Sequence, residues 1–320
     1  MTTFAALINR LGMDIEQYIL GRCNDVLGTD GTSIVKRLEG GMSNFTFVVE
    51  NGGSKYTYRV PGKYAERFVD RDIERNNISK AEQIGLNNKT VFFDTATGEK
   101  MAEYIEGTIL SDTDVSEHDT EAAAALKRLH QSGISMNDYD PFGRLLTYEN
   151  YCKEYKFVHD GEYNALRQQM DRLQSKYDNT AKVACHCDFQ PSNLVATPTR
   201  LYVLDWEYAG MNDPFYDIAC YGNAGLDKAL SLLAAYVGHS PTDDELRRLY
   251  FWRSFQCLQW YNVAIFKDLI GLGKELHLDF AGIAKTFIRM AEQLLDMAND
   301  SHGLTGFDSF NIYGHGTRNG

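Results

Sequence analysis

The sequence predicts an α+β protein in which a small lobe built on an antiparallel sheet precedes a larger, mainly helical lobe. Strand-like patterns dominate from about residue 33 to 105, and helical periodicity dominates from about residue 119 onward. A chain of 320 residues is also long enough to bury a substantial core in two lobes. We therefore expect an N-terminal lobe over residues 1–106 and a C-terminal lobe over residues 107–300. The last twenty residues contain five glycines and are expected to pack poorly.

The first elements of the N-terminal lobe have the pattern of paired strands. Gly40 and Gly41 precede an alternating run of apolar and polar residues over 45–49, which by itself indicates no more than a hairpin. The next strand, over residues 55–62, places Arg59 on the face opposite its tyrosines.

Two further elements complete this lobe. Residues 69–76 carry acidic side chains in what the pattern indicates is the first turn of a helix. Residues 100–107 have the pattern of a strand that ends in a glycine turn.

The stretch most specific for chemistry is the run 186–193, His-Cys-Asp-Phe-Gln-Pro-Ser-Asn, followed after a short strand by Asp205. Phosphoryl transfer needs a carboxylate to orient an acceptor hydroxyl and take its proton, and Asp188 is the candidate. It also needs hard oxygen ligands for Mg²⁺, which Asn193 and Asp205 could supply. A single Asp or Asn in a loop is more often a turn former or cap. The joint spacing favours a metal-assisted kinase.

From about residue 34 to 265 the chain resembles the choline and ethanolamine kinase family, which belongs with aminoglycoside phosphotransferases to a group sharing the protein-kinase-like fold. The resemblance implies a nucleotide site of ATP with Mg²⁺. Arg59 would reach the phosphates, Glu74 in the following helix would pair with it, and backbone groups near Glu103 and Ile105 would hold adenine. The turn that would cover the phosphates includes Gly40, Gly41, Ser43 and Asn44.

The resemblance also implies an acceptor pocket, which in choline kinases holds a quaternary ammonium with aromatic faces and a carboxylate. The matching positions are Gln190, Glu207, Tyr208 and Trp260. The family often has a second tryptophan where this chain has Cys257, so Trp252 or Tyr261 is an alternative source of a ring. An aromatic stripe on a helix is also typical of a buried core.

Three other residues match positions that support the site in the family. His130 matches a structural histidine, and Asp217 matches an acid that braces the catalytic loop. The sequence leaves two roles open for Asp213, which could brace the catalytic loop or form a turn.

The expected function is therefore ATP- and Mg²⁺-dependent phosphorylation of choline. Two alternatives stay open. The acceptor could be ethanolamine, thiamine or an aminoglycoside, or the chain could be a pseudokinase that acts as a binding module. Nothing in the sequence fixes the oligomeric state.

Bulk properties exclude other classes. With 44 acidic and 32 basic residues, the formal net charge of −12 argues against a nucleic-acid partner. The six cysteines lack paired zinc spacing and are expected to be reduced thiols. No apolar run is long enough to span a membrane. The N-terminal residues do not form a signal peptide, so we expect a cytoplasmic enzyme.

Overall fold

A computed structural model describes residues 15–38, 44–62, 64–178 and 180–299, excluding the side chains of residues 178 and 275. The chain forms two compact units. The first contains the residues up to Thr108 together with Val195–Tyr208, and the second contains Ile109–Leu194 and the residues from Ala209 onward. The sequence placed the boundary two residues earlier and assigned residues 195–208 to the C-terminal lobe, so the observed division differs there. The predicted tail, residues 301–320, lies outside the described residues.

The first unit is built on a five-stranded sheet of order β1-β2-β3-β5-β4. Its strands are β1 (Ser33–Leu38), β2 (Asn44–Asn51), β3 (Ser54–Pro61), β4 (Thr90–Phe93) and β5 (Lys100–Glu103). Every neighbouring pair is antiparallel, which confirms the predicted sheet. One face packs its apolar side chains with the first helix, and these buried residues are Ile19, Cys23, Phe47, Val49, Tyr58, Val60 and Met101.

Three helices belong to the same unit: α1 (Ile15–Leu27), the single turn α2 (Ala65–Phe68) and α3 (Arg71–Gln83). Asp70 caps α3 by accepting hydrogen bonds from the backbone N–H groups of Asp72 and Ile73. Later in the chain a three-stranded sheet has the order β6-β8-β9, with strands β6 (Thr108–Ile109), β8 (Leu194–Ala196) and β9 (Leu201–Val203). A 3₁₀ turn, Trp206–Tyr208, follows β9.

The second unit is mainly helical. Its helices are α4 (Asp119–His130), α5 (Pro141–Glu154), α6 (Gly161–Asp178), α7 (Pro214–Tyr221), α8 (Leu226–Val237), α9 (Asp243–Leu269), α10 (Leu272–Leu276) and α11 (Phe280–Asn299). Two short strands, β7 (Val183–Cys185) and β10 (Gly210–Asn212), pair antiparallel beside the predicted catalytic stretch. The small strand-rich unit and the larger helical unit confirm the predicted fold class.

Helix α9 is the longest helix in the described part of the chain. Thr242 caps it through a reciprocal pair of hydrogen bonds with Glu245. Most of its residues from Leu249 to Lys267 are buried, because α9 packs against α11, α5 and α7.

All six cysteines are free and buried. Burial raises the pKa of each of these thiols. Within the described residues, no helix is both long and apolar enough to cross a membrane.

Candidate active site

A buried ion pair joins strand β3 to helix α3 in the first unit. Arg59 donates from Nη1 to Glu74 Oε1 at 2.6 Å and from Nη2 to Glu74 Oε2 at 3.0 Å. Their exposures are only 5% and 0%. Burial opposes ionisation of Glu74, but the guanidinium outweighs it and lowers the pKa of Glu74 to about 2. The pairing that the resemblance implied is present, and both groups are charged at neutral pH.

The carbonyl of Gly98 holds the other edge of Arg59, accepting a hydrogen bond from Nη2 at 3.0 Å. Gly98 has φ +77°, a left-handed conformation that favours glycine. A Cβ there would lie 2.7 Å from Pro61 Cγ and 2.8 Å from Arg71 Nε. The close approach to two side chains therefore requires glycine at this position.

A second arginine, Arg71, connects the pair to Glu207. Its Nη1 donates to Glu74 Oε2 at 2.5 Å and to Glu207 Oε2 at 3.1 Å. Burial and the nearby Asp205 carboxylate raise the pKa of Glu207 to about 7. The carboxylate expected to meet the acceptor is thus bound by an arginine that the sequence analysis left unassigned. One feature of the sequence could have identified Arg71: it lies three residues before Glu74, which places both side chains on the same face of α3.

Asp205, the predicted metal ligand, follows β9 with φ 66°, a strained conformation for a residue with a side chain. Its Oδ1 lies 3.7 Å from Arg59 Nη1. The same oxygen is buried and has no hydrogen-bond partner among the described residues. Oxygens of Asp205, Glu74 and Glu207 all lie within 4.8 Å of one another. An unmatched hard oxygen among carboxylates fits a magnesium ligand.

The second unit contains the predicted base, Asp188, which is 8% exposed. Its Oδ2 accepts hydrogen bonds from Asn193 Nδ2 at 2.9 Å and from Gln190 Nε2 at 3.1 Å. The 3₁₀ turn Pro191–Asn193 brings Asn193 back towards Asp188, and Nδ2 also donates to the Asp188 carbonyl at 3.0 Å. Because the NH₂ of Asn193 faces Asp188, its carboxamide oxygen points the other way, as a metal ligand requires.

Asp217 on α7 fixes the backbone before Asp188. Its Oδ1 accepts from the Cys187 N–H at 2.6 Å, and its Oδ2 accepts from the His186 N–H at 2.8 Å. His130 Nε2 lies 3.0 Å from the same Oδ2. Cys187 has φ 61°, so the carboxylate stabilises a strained turn. Asp217 and His130 therefore have the supporting places that the resemblance implied.

Of the two roles that the sequence left open for Asp213, its described contacts support that of a turn former. It caps α7 by accepting from the Phe215 N–H at 2.8 Å, and it also pairs with Arg248, whose Nη2 lies 2.7 Å from Oδ1.

The acceptor candidates have different surroundings. The Gln190 amide is already engaged on both ends, with Asp188 and with Asn223, whose Nδ2 donates to Gln190 Oε1 at 3.1 Å. Tyr208 in the first unit and Trp260 in the second are each partly exposed.

The alternative rings are packed in the second unit's core. Trp252 is 1% exposed and contacts other rings, with centroids 5.4 Å from Tyr216 and 5.7 Å from Phe255. Tyr261 is 7% exposed and stacks on Tyr163 with centroids 5.2 Å apart. The core interpretation of the aromatic stripe therefore fits both residues.

The nucleotide candidates are only partly described. Gly40, Gly41 and Ser43 lie outside the described residues, whereas Asn44 begins β2. The Glu103 N–H donates to the Lys89 carbonyl at 2.9 Å, and its carbonyl accepts from Asn88 Nδ2 at 2.6 Å.

The Glu103 N–H is thus unavailable to adenine. Ile105, the second predicted hinge residue, is partly buried just beyond β5.

A family model that matches more than half of the chain shows which family the protein belongs to. The model of the choline/ethanolamine kinase family matches residues 35–224. The chain belongs to the choline/ethanolamine kinase family. This confirms the resemblance drawn from the motifs.

Proteins named LicA resemble this one in sequence and in fold. Two LicA proteins of Haemophilus influenzae are 28% identical over 191 residues and 27% identical over 189 residues. Each alignment covers 56% of this chain, but it covers 55% of the first relative's length and 69% of the second's.

The crystal structure of choline kinase LicA from Streptococcus pneumoniae superposes with a TM-score of 0.73 at 24% identity, covering 88% of this chain and 99% of that one. A structure of LicA in complex with AMP gives a TM-score of 0.71 at 23% identity, covering 89% of this chain and 99% of that one. These likenesses show the protein-kinase-like fold.

Proposed function

We propose that this family member transfers the terminal phosphoryl group of ATP to the hydroxyl of choline. The observation that carries the proposal is the state of Asp188: a carboxylate oriented by two amides, on a turn whose backbone Asp217 holds. Such a fixed carboxylate suits a general base, which must meet one hydroxyl in one geometry. Family membership and the AMP complex of LicA support a nucleotide as the donor.

In the proposed reaction, Asp188 orients the acceptor hydroxyl and takes its proton. The acceptor oxygen forms the new bond to phosphorus as the bond to the leaving ADP oxygen breaks. When bound, Mg²⁺ supplies charge neutralisation on the phosphates, and Asn193 and Asp205 are the residues proposed to hold it.

Arg59 is proposed to contact the phosphates. Its Nε–H is buried without a hydrogen-bond partner among the described residues, so one donor remains for an anionic oxygen. The turn over residues 40–44 is proposed to cover the same phosphates. Because the Glu103 N–H is already used, Ile105 is the stronger candidate for the backbone contact to adenine.

Choline is proposed as the acceptor because it fits the family and the partly exposed Trp260. A quaternary ammonium has no N–H to donate and is best held by an aromatic face. Glu207, Tyr208 and Gln190 remain proposed acceptor contacts, although the bonds made by Glu207 and Gln190 favour supporting roles. Ethanolamine is the second candidate, because the family includes its kinases.

A panel of acceptors separates these substrates. We would follow ADP release with ATP, Mg²⁺ and, in turn, choline, ethanolamine, thiamine and an aminoglycoside. Choline is expected to give the highest kcat/KM. A higher kcat/KM with ethanolamine would make ethanolamine the proposed acceptor in place of choline. Absence of turnover with every acceptor would favour the pseudokinase alternative.

The variants Trp260→Ala and Asp188→Asn test the two halves of the proposal. Trp260→Ala should raise the KM for choline more than that for ethanolamine, since a primary ammonium relies on hydrogen-bond acceptors. Asp188→Asn should suppress turnover while nucleotide affinity stays nearly intact. Weaker ATP binding with unchanged turnover of the bound complex would contradict the role of Asp188 as base.

A further inference from the structure

Two side-chain amides form a hydrogen-bonded chain that ends on Asp188, and a third amide bonds the same carboxylate. Asn223 Nδ2 donates to Gln190 Oε1 at 3.1 Å, and Gln190 Nε2 donates to Asp188 Oδ2 at 3.1 Å. Asn193 Nδ2 donates to the same Oδ2 at 2.9 Å. All four residues belong to the second unit, so these hydrogen bonds lie within one compact body.

The chemistry of the carboxylate fixes the direction of this chain. An ionised carboxylate only accepts hydrogen bonds, so the NH₂ of Gln190 must face Asp188. The Gln190 oxygen then faces away from Asp188 and needs a donor. Asn223 supplies that donor with its own NH₂, and it therefore selects which end of the Gln190 amide faces the base.

Rotation of an Asp carboxylate about its last side-chain bond is weakly restrained by the side chain itself. Hydrogen bonds must therefore set the orientation of the Asp188 oxygens. Asn193 is already proposed as a metal ligand. Gln190 is a second donor to Asp188, and Asn223 holds the other end of its amide.

Asn223 lies on the 3₁₀ turn Gly222–Ala224, directly after the helix α7 that carries Asp217. Helix α7 and this turn form one continuous segment. Its Asp217 holds the backbone before Asp188, and its Asn223 holds the Asp188 side chain through Gln190.

We propose that Asn223 is a positioning residue for the base: by holding the Gln190 amide in one orientation, it fixes the rotation of the Asp188 carboxylate. This inference rests on the proposed function for the role of Asp188. It gives Gln190 a role in orienting the base, beside the acceptor contact that the resemblance to the family implied.

The isosteric variant Asn223→Asp is the sharpest test. The introduced carboxylate cannot donate, so the Gln190 amide turns its NH₂ towards it and presents its oxygen to Asp188. Misplacement of a catalytic group is costly, so kcat should fall about tenfold or more while the KM for ATP changes less than about twofold. Asn223→Ala removes the donor without the reversal, so its loss should be smaller. Asn164→Asp, at an exposed amide of the same unit, is the matched control and should leave kcat unchanged.

A double-mutant cycle shows whether Asn223 acts through Gln190. In a Gln190→Ala background no amide remains to be reversed, so adding Asn223→Asp should lower kcat no further. An equal loss in both backgrounds, or unchanged kcat in Asn223→Asp alone, would overturn the proposal. Urea unfolding and nucleotide binding of each variant separate this effect from loss of the fold.

Nuclear magnetic resonance gives a readout that needs no turnover. The side-chain NH₂ signals of Gln190, assigned by their absence in Gln190→Ala, should move in Asn223→Asp and stay in place in Asn164→Asp. If the unmodified protein phosphorylates no acceptor but these signals move as expected, the proposed function fails and the hydrogen-bonded chain stands. If they do not move, the positioning inference fails whatever the acceptor.

Discussion

Arg59 and Glu74 meet through two hydrogen bonds, Nη1 to Oε1 at 2.6 Å and Nη2 to Oε2 at 3.0 Å, and the protein buries both side chains. Removing one partner of a buried pair leaves an uncompensated charge. Glu74→Gln should therefore lower the free energy of unfolding by about 3–5 kcal/mol. Urea unfolding followed by circular dichroism measures this loss.

Lys55 and Glu106 provide the control for this prediction. They form an ion pair of the same length, with Nζ to Oε1 at 2.6 Å, but both side chains are exposed. Glu106→Gln should leave the unfolding midpoint unchanged, because solvent screens such pairs. Equal losses in the two variants would show that burial does not set the strength of the Arg59–Glu74 pair.

Gly98→Ala should destabilise the first unit through both strain and crowding. The left-handed backbone alone costs about 1–2 kcal/mol for alanine. The new methyl group also meets Pro61 and Arg71, which adds about 1–3 kcal/mol. Gly53→Ala isolates the backbone contribution, since Gly53 has φ +80° and no atom within 4 Å of its Cβ position. Thermal unfolding of both variants gives the difference, and equal losses would contradict the crowding.

Asp217→Asn should destabilise the turn before Asp188. Only one oxygen would remain for the His186 and Cys187 N–H groups, and one buried donor left unmatched costs about 1–3 kcal/mol. Turnover should fall with stability, since the turn carries the base. Asp70→Asn is the comparison: Asp70 also accepts two backbone N–H groups, but it is an exposed helix cap at which Asn serves about as well as Asp. A neutral Asp217→Asn variant would contradict the bracing role.

His159 should make the protein less stable in mild acid. Burial lowers its pKa below the ordinary 6.5. The unfolded chain then binds more protons than the folded one below about pH 6.5, so stability falls as pH falls through the window between the two pKa values. Its Nε2 lies 2.7 Å from Asn262 Oδ1, and its ring stacks on Tyr163.

Urea midpoints measured between about pH 5 and 8 test this slope in the window where histidine titrates. His159→Gln should flatten it, whereas the exposed His277→Gln should not. An unchanged slope in His159→Gln would assign the acid sensitivity to other groups.

The sequence could predict the residues whose roles follow from local spacing or from the resemblance to the family. The pairing of Arg59 with Glu74 was implied by the resemblance, whereas the turn from Asp188 to Asn193 closes over five residues, which short-range spacing indicates. The antiparallel sheet followed from alternation in the same way.

The contacts that the sequence missed join distant positions. Arg71 and Glu207 are 136 residues apart, and Gln190 and Asn223 are 33 apart. Which amide or carboxylate meets which partner depends on packing that no spacing rule encodes. Trp252 shows the same limit, since a ring on a helix has one sequence pattern whether it faces a ligand or the core.

The passage of residues 195–208 into the first unit has a practical consequence for dissecting the protein. A fragment ending at Thr108 would contain Arg59 and Arg71 but neither Asp205 nor Glu207. Proteolysis or gene truncation at that point would therefore yield a piece that keeps Glu74 but cannot restore the carboxylate cluster that Glu74 forms with Asp205 and Glu207. Half-molecule complementation would have to return the later strand pair, so splitting the gene at residue 108 should give two dependent pieces.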